Sequence, residues 1–404
     1  MNLPGEPRTR DDRYQPGQVI GGKYALVRRL GVGGMGTVWV AHQTVLDVHV
    51  AVKILSLGDE APDVGAESRM LEEARTAARI GHAAIVRVLD FGRTGHGDPF
   101  IVLELLDGED VADVLARERK LDKFAAVATL LPIAHALAAA HDHGIVHRDV
   151  KPENIFLAHS EVGVQPKLLD FGVARFVDRP KKLTLEGVVL GTPEYVSPQQ
   201  AMGKPVSASA DLWSFCVVLY ELLTGTCPFR HKNHHALMRA IVEDEPPSIL
   251  ERGVDDPELW TILRQGLSKE PEQRQSSMRQ LGQQLARWML SHGLSEDLTG
   301  ASIRRTWLRD GEASPSARGA SPAATAGAAP ARVRVERAGK GPPSSGTAQA
   351  LALARASRSR SVAILLVMVG AIVLVVLAIL WGAGLLGDPG RLRLLFRAEQ
   401  TQPS

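Results

Sequence analysis

The chain has 404 residues, of which 45% are hydrophobic and 23% charged, so it can bury one large core or two smaller ones and still carry accessory segments. Its formal net charge of +2 gives no reason to expect a nucleic-acid partner. The only two cysteines, Cys216 and Cys227, lack the spacing of a zinc site, and we expect reduced thiols in a cytosolic domain.

The first half of the chain changes character twice. Residues 1–23 are polar and lack the apolar core of a signal peptide, so we predict a disordered segment that stays in the cytosol. From Tyr24 onward, strand-like apolar runs alternate with turn signals, and from Leu121 onward helical periodicity takes over. The sequence therefore predicts an α+β architecture, with a small β-rich lobe at residues 24–104 and a larger α-helical lobe at residues 107–290.

The first motif of the small lobe is glycine-rich. Residues 30–38 read LGVGGMGTV, with glycines at 31, 33 and 36 between two apolar runs. Without side chains at these positions, backbone N–H groups can approach phosphate oxygens. The same pattern also occurs in simple hairpin turns, so the interpretation depends on the residues that follow.

A lysine inside an apolar strand is the second feature. Residues 50–54 read VAVKI, and a cation at Lys53 is costly to bury without an anionic partner. Phosphate groups supply one partner. The helical run 66–80 supplies another in Glu73, because the neighbouring Glu72 points about 100° away around the helix.

Two polar motifs follow the first long helix of the larger lobe. Residues 145–154 read IVHRDVKPEN, and residues 168–172 read LLDFG, which places Asp170 sixteen residues after Asn154. Phosphoryl transfer requires a base, a cation near the transferred group and two metal ligands. These motifs contain all of them.

In this order and spacing, the motifs resemble those of eukaryotic-type (Hanks-type) protein kinases. The matching residues are Gly31, Gly33, Gly36, Lys53, Glu73, His147-Arg148-Asp149, Asn154 and Asp170-Phe171-Gly172. The resemblance covers about residues 24–288 and continues at residues 196–198 and 211–214 and at Arg274. It implies the bilobal protein kinase fold and ATP-dependent phosphotransfer to proteins. Residues 191–195, GTPEY, and Lys151 resemble the serine/threonine branch.

The resemblance also implies catalytic roles. Lys53 is expected to hold the α- and β-phosphates while paired with Glu73. Asp149 is expected to accept or orient the proton of the substrate hydroxyl, with Lys151 beside it.

The cofactors implied are ATP and Mg²⁺, with Mn²⁺ as an alternative, and the metal is expected on Asn154 and Asp170. Adenine is expected against residues 104–106, with Leu103 in the gatekeeping position. The residues expected to contact ATP are Leu30, Gly31, Gly33, Gly34, Gly36, Val38, Ala51, Lys53, Leu103, Glu104 and Leu106.

Regulation by phosphorylation is indicated by Arg148, whose guanidinium can pair with a phosphate on the loop from Asp170 to Pro198. Thr184 is the natural candidate, and Thr192 is a further regulatory position. The alternative that Thr184 is only a solvated loop residue stays open, because related bacterial kinases often carry their threonines closer to the end of this loop.

Two positions depart from the family pattern. Gln199 stands where a glutamate is usual, so the ion pair expected with Arg274 becomes a hydrogen bond between an amide and a cation. We expect the substrate-binding segment to be held less firmly. Cys216 replaces a usual glycine, which we interpret as repacking of a helix.

The C-terminal quarter predicts a tether and an anchor. Residues 291–361 are rich in Ala, Pro, Ser, Gly and Arg and predict a flexible linker with a reach of about 45–50 Å. Residues 362–386 carry no charge and would form an apolar helix of about 37 Å, enough to cross a hydrocarbon core of about 30 Å. Residues 387–404 would be a short extracytoplasmic tail, either lying on the membrane surface or disordered.

This arrangement predicts a single-pass inner-membrane protein with a cytoplasmic kinase domain, as in bacterial transmembrane serine/threonine kinases. Arginines flank the span on both sides, so orientation follows from the need for cytosolic ATP. The expected partners are ATP, protein substrates with serine or threonine hydroxyls, and the membrane. Homodimerisation stays open without support, since the span has no GxxxG repeat.

The competing hypothesis is a pseudokinase scaffold that binds nucleotide without turnover. Such proteins usually lack the counterpart of Lys53, Asp149 or Asp170. All three are present in this chain.

Overall fold

A computed structural model describes residues 13–33, 36–55, 80–161, 163–170 and 193–308. All of them lie in the first of two compact units, residues 1–316. The predicted transmembrane helix and tail, and residues 309–361 of the predicted linker, lie outside the described residues.

The small lobe is an antiparallel six-stranded sheet with the order β1-β2-β3-β4-β6-β5. Its β-branched and aromatic residues favour strands, and side chains such as Trp39, Val52 and Phe100 form the lobe's core. The strands are β1 Val19–Ile20, β2 Tyr24–Gly33, β3 Gly36–Gln43, β4 Val48–Leu55, β5 Val88–Arg93 and β6 Pro99–Glu104.

The small lobe begins earlier than the sequence predicted. Tyr14 is buried, and its hydroxyl lies 2.8 Å from Thr94 Oγ1 and donates to Asp98 Oδ2 at 2.5 Å. Arg13 forms an ion pair with the same carboxylate at 2.8 Å. The predicted disordered segment 1–23 is therefore wrong from Arg13 onward, because one aromatic anchor orders an otherwise polar stretch.

The larger lobe combines a three-stranded sheet with a helical core. The strands, in the order β7-β8-β9, are β7 Gly108–Asp110, β8 Ile155–Ser160 and β9 Gly163–Leu168. The helices are α1 Val111–Glu118, α2 Lys123–Asp142, α3 Pro198–Ala201, α4 Ala208–Thr224, α5 His234–Glu243, α6 Pro257–Gly266, α7 Met278–Ser291 and α8 Ile303–Trp307. This α+β, two-lobed arrangement confirms the predicted fold class.

Helix α2 is the central helix of the larger lobe. Asp122 caps its first turn by accepting from Phe124 N at 2.9 Å. Among the described residues, α2 is the one helix long and apolar enough to cross a membrane, but 67% of its most apolar window is buried inside the fold. It is a core helix.

The folded region also ends later than predicted. Helix α8 begins after the cap Ser302, and its residues Ile303 and Trp307 are buried. Leu298 N donates to Ala128 O of α2 at 3.2 Å, which ties the preceding loop to the core. The predicted linker start at residue 291 is therefore wrong: residues 292–308 pack on the lobe because they carry isolated large apolar side chains.

Cys216 lies fully buried in α4, against the end of α6. A Cβ atom added to Gly266 would lie 2.2 Å from Cys216 Sγ, so the glycine leaves the space that the sulfur fills. Burial raises the pKa of this thiol to about 12. Cys216 is therefore a packed core residue, and its replacement of a glycine by repacking of the helix stays an interpretation.

Gly266→Ala is expected to destabilise the domain by about 1–3 kcal/mol, because the new methyl group overlaps the sulfur. Thermal unfolding of the full-length protein measures the effect. In a Cys216→Ala background the same change should cost much less, since the obstructing atom is gone. Equal destabilisation in both backgrounds would show that the two residues do not compete for space.

Candidate active site

The glycine-rich segment includes the end of β2 and the start of β3. Gly33 pairs with Gly36, which has a φ of 135°, and a Cβ there would lie 2.0 Å from the Ile54 carbonyl oxygen. Only glycine fits this close approach to β4. A Cβ at Gly31 would meet nothing within 4 Å, so the space beside β2 is open. Gly34 lies outside the described residues.

Lys53 projects from β4 toward the end of β9. Its Nζ lies 2.7 Å from Asp170 Oδ1, and the side chain is 9% exposed. Asp170 has a φ of 57°, a conformation that a non-glycine residue adopts only where its surroundings hold it. The structure thus brings together the predicted phosphate-binding cation and one predicted metal ligand. The predicted partner Glu73 lies outside the described residues.

The loop of residues 145–154, the predicted catalytic loop, brings Lys151 and Asn154 to the carboxylate of Asp149. Asp149 Oδ2 accepts from Lys151 Nζ at 2.8 Å and from Asn154 Nδ2 at 2.9 Å. Asn154 Nδ2 also donates to Asp149 O at 2.7 Å. Leu169 N donates to Asn154 O at 2.8 Å, which fixes the loop beside Asp170.

These residues fit a magnesium ion. Since the Asn154 amide nitrogen is turned toward Asp149, the other end of that amide is the oxygen, which is a hard ligand. The Asp170 carboxylate adds further oxygens. Amide and carboxylate oxygens are the ligands that Mg²⁺ and Mn²⁺ prefer.

The predicted adenine site lies where β4 meets β6. Ala51 pairs with Leu103, and Val38 of β3 pairs with Lys53, so these residues share one part of the sheet. Leu30 of β2 has an exposed side chain that a ligand can contact.

Glu104 ties the link between the lobes to both sides. Its Oε1 accepts from Lys167 Nζ of β9 at 2.6 Å and from Arg87 N at 2.9 Å. Leu106, two residues further along, is half-buried. The side chain of Glu104 therefore connects the link to a strand of the larger lobe and to the backbone of the small lobe.

The buried carboxylate of Asp211 accepts hydrogen bonds from the backbone of the catalytic loop. It accepts from His147 N and Arg148 N at 2.8 Å each, and its Oδ2 lies 2.8 Å from His141 Nε2. Arg148 has a φ of 70°. The sequence motif indicated Asp211 only as part of the family pattern. The available sequence signal was an acidic residue in the first turn of an apolar helix, which indicates a buried carboxylate that accepts hydrogen bonds.

His147 and Gln200 also restrain this loop. His147 Nε2 lies 2.7 Å from Leu169 O, and Gln200 Nε2 donates to Arg148 O at 3.3 Å. The predicted regulatory threonines Thr184 and Thr192 lie outside the described residues. Their pairing with Arg148 stays a prediction.

The predicted hydrogen bond between the Gln199 amide and the Arg274 cation is confirmed, while a weaker hold on the substrate-binding segment stays a prediction. Arg274 Nη2 donates to Gln199 Oε1 at 3.1 Å, and its other hydrogen bonds go to the carbonyl oxygens of Ser209, Ser268 and Lys269. These four acceptors of the buried cation are all neutral. Burial lowers the pKa of Arg274 to about 10.

Gln199→Glu is expected to raise the melting temperature by roughly 3–5 °C, equivalent to about 1–2 kcal/mol, because a carboxylate replaces a neutral acceptor beside a buried cation. Calorimetry of the full-length protein measures the shift. Gln273→Glu, the same change at an exposed neighbouring position, is the control. A lower melting temperature for Gln199→Glu would mean that burying the carboxylate costs more than the ion pair returns.

Comparison with known proteins extends these observations. A model of the protein kinase domain family matches residues 24–292. The serine/threonine-protein kinase pkn2 of Myxococcus xanthus is 38% identical over 276 residues, and the serine/threonine-protein kinase PkaB of Streptomyces coelicolor is 39% identical over 260 residues. These alignments cover 66% and 63% of this chain, but only 32% and 60% of the two relatives.

The fold is similar to that of a solved kinase domain. The crystal structure of the Mycobacterium tuberculosis PknI kinase domain aligns with a TM-score of 0.55 and 26% sequence identity, covering 70% of this chain and 100% of that one. Family match, sequence similarity and fold agree, and the chain belongs to the protein kinase domain family.

Proposed function

We propose that the chain is a serine/threonine protein kinase that transfers the γ-phosphoryl group of ATP to serine or threonine hydroxyls of proteins, itself included. The observation that carries the proposal is the convergence of Lys53 and Asp170 with the loop that contains Asp149, Lys151 and Asn154. No residue that the reaction needs is replaced among these five.

Each side chain has one task in this reaction. Lys53 binds the α- and β-phosphate oxygens, and Lys151 lies where negative charge moves onto the transferred group. Asp149 orients the substrate hydroxyl and accepts its proton as the oxygen attacks the γ-phosphorus and the bond to the β-phosphate oxygen breaks, releasing ADP. Asn154 and Asp170 would hold a magnesium ion, which would supply positive charge to offset that of the phosphates.

We propose further that residues 362–386 anchor the kinase in the inner membrane and that the catalytic domain faces the cytosol. The support is the uncharged 25-residue composition of this segment and the need for cytosolic ATP. Deleting residues 362–404 should release the protein from membranes that have been washed at alkaline pH. Retention of the deleted form on the membrane would contradict the anchor.

The full-length protein, purified in detergent, is incubated with γ-labelled ATP, Mg²⁺ and a generic basic protein. We expect label on serine or threonine, in the protein itself or in the added substrate, and loss of transfer when the metal is chelated. Bound nucleotide without transfer would identify a pseudokinase scaffold instead. Label on tyrosine would contradict the proposed specificity.

A further inference from the structure

Helix α8, the last described element, is held in place by a tryptophan. Trp307 is 4% exposed, and a Cβ added to Gly282 of α7 would lie 2.1 Å from its ring. The glycine thus provides the surface on which the indole lies. Ile303, one turn earlier, is buried as well.

The same indole contacts one member of a pair of histidines. The Trp307 ring meets the His135 ring of α2 edge to face, with centroids 5.3 Å apart. His135 Nδ1 lies 2.6 Å from His82 Nε2, and Ala84 N donates to His82 Nδ1 at 3.0 Å. Because His82 Nδ1 accepts, its proton lies on Nε2 and is donated to His135 Nδ1. Both imidazoles are neutral in this arrangement.

The loop that contains His82 is hydrogen-bonded to the end of β9. Leu168, the last residue of β9, donates from its N to Ala84 O at 2.9 Å and accepts from Val86 N at 3.0 Å. Leu168 is fully buried and precedes Asp170 by two residues. A continuous set of contacts therefore runs from Trp307 through both histidines to the strand that presents the metal ligand.

Burial keeps the histidine pair neutral. It lowers the pKa of His82 to about 4, with a smaller contribution from His135. Burial also lowers the pKa of His135, aided by Arg279 and opposed by Asp297 and Asp142. Without the indole, water would reach His135, and its pKa would rise toward the ordinary value of about 6.5.

We propose that Trp307, His135 and His82 are positioning residues: α8, docked on α2 and α7, holds the histidine pair in its hydrogen-bonded form and thereby holds Asp170 in place. The catalytic readout of this inference rests on the proposed kinase activity. The chain that continues from α8 at residue 309 is then coupled to the active site, because anything that displaces α8 weakens metal and nucleotide binding.

Trp307→Ala and the milder Trp307→Phe are compared in the full-length protein with wild type and with Arg304→Ala, an exposed change on the same helix. We expect Trp307→Ala to raise the KM for Mg·ATP about tenfold at pH 8, with kcat changed less than threefold. Between pH 8 and pH 6 the KM of Trp307→Ala should rise about a further fourfold, because His135 gains a proton. The KM of wild type should not show this rise. Trp307→Phe should lie between the two, and Arg304→Ala should match wild type.

His82→Ala separates positioning from simple stability. It should raise the KM for Mg·ATP in the same way but without the pH-dependent loss, and combining it with Trp307→Ala should add little further. If both tryptophan variants lower the melting temperature but keep the wild-type KM and pH profile, the inference is overturned and α8 is only a structural element.

The inference is also measurable without turnover. The dissociation constant of Mg·ATP, determined by calorimetry at pH 8 and pH 6, should show the same ordering of variants as the KM. A wild type that binds Mg·ATP but transfers no phosphate would refute the proposed function and leave this ordering intact. Equal dissociation constants for wild type and Trp307→Phe and Trp307→Ala would refute the inference alone.

Discussion

Asp149→Asn is expected to lower kcat for phosphoryl transfer by about 10²–10⁴-fold, because the asparagine amide cannot accept the proton of the substrate hydroxyl. The fold should survive the change. Asparagine keeps an oxygen for the two donors that now reach Asp149 Oδ2, Lys151 Nζ and Asn154 Nδ2. We expect the KM for Mg·ATP to change less than about threefold, since Lys53 and Asp170 remain in place.

Steady-state transfer of labelled phosphate by the full-length protein, with Mg·ATP binding measured in parallel, tests this expectation. Asp244→Asn is the matched control, because it makes the same chemical change at an exposed position at the end of α5. Transfer by Asp149→Asn at close to the wild-type rate would remove this residue from the reaction. Loss of nucleotide binding together with activity would show that its main role is structural.

The centre of the site could be predicted from sequence because its chemistry is local. Asp149, Lys151 and Asn154 lie within six consecutive residues, and the hydrogen bonds that join them need no distant partner. Polar groups only a few residues apart lie close together once the loop has formed, whatever the rest of the fold. The departure at Gln199 was also predictable, since replacing a carboxylate with an amide changes the pairing with Arg274 in a defined way.

The supporting contacts could not be predicted because they join residues far apart in the chain. Asp211 reaches His147 and Arg148 across more than sixty residues, and no local pattern records which backbone N–H groups it faces. The predicted boundaries at the two ends of the domain were wrong for a related reason. Tyr14 and Trp307 are single aromatic anchors in stretches whose average composition is polar or small, and averaging hides them.

Asp211→Ala is expected to give the largest loss of stability among the changes considered, about 3–5 kcal/mol, or a fall in melting temperature of roughly 10 °C. The carboxylate is fully buried, and its removal leaves the His147 and Arg148 N–H groups and the His141 ring without their acceptor. A buried donor without a partner costs about 1–3 kcal/mol.

Activity should fall as well, by at least about tenfold at a temperature where the variant is still folded. The φ of 70° at Arg148 is held by these hydrogen bonds, so the loop that presents Asp149 would relax without them. Asp211→Asn keeps one oxygen acceptor and should lie between wild type and alanine in both measurements.

Calorimetry and single-temperature transfer rates test this pair of expectations. Glu243→Ala removes an exposed carboxylate that is paired with Arg239 at 2.7 Å, and it should leave the melting temperature unchanged because water screens such a pair. If Asp211→Ala resembled this control in both stability and rate, the buried carboxylate would not be what holds the catalytic loop. A fall in stability without a fall in rate would mean that the loop keeps its shape through His147 and Gln200 instead.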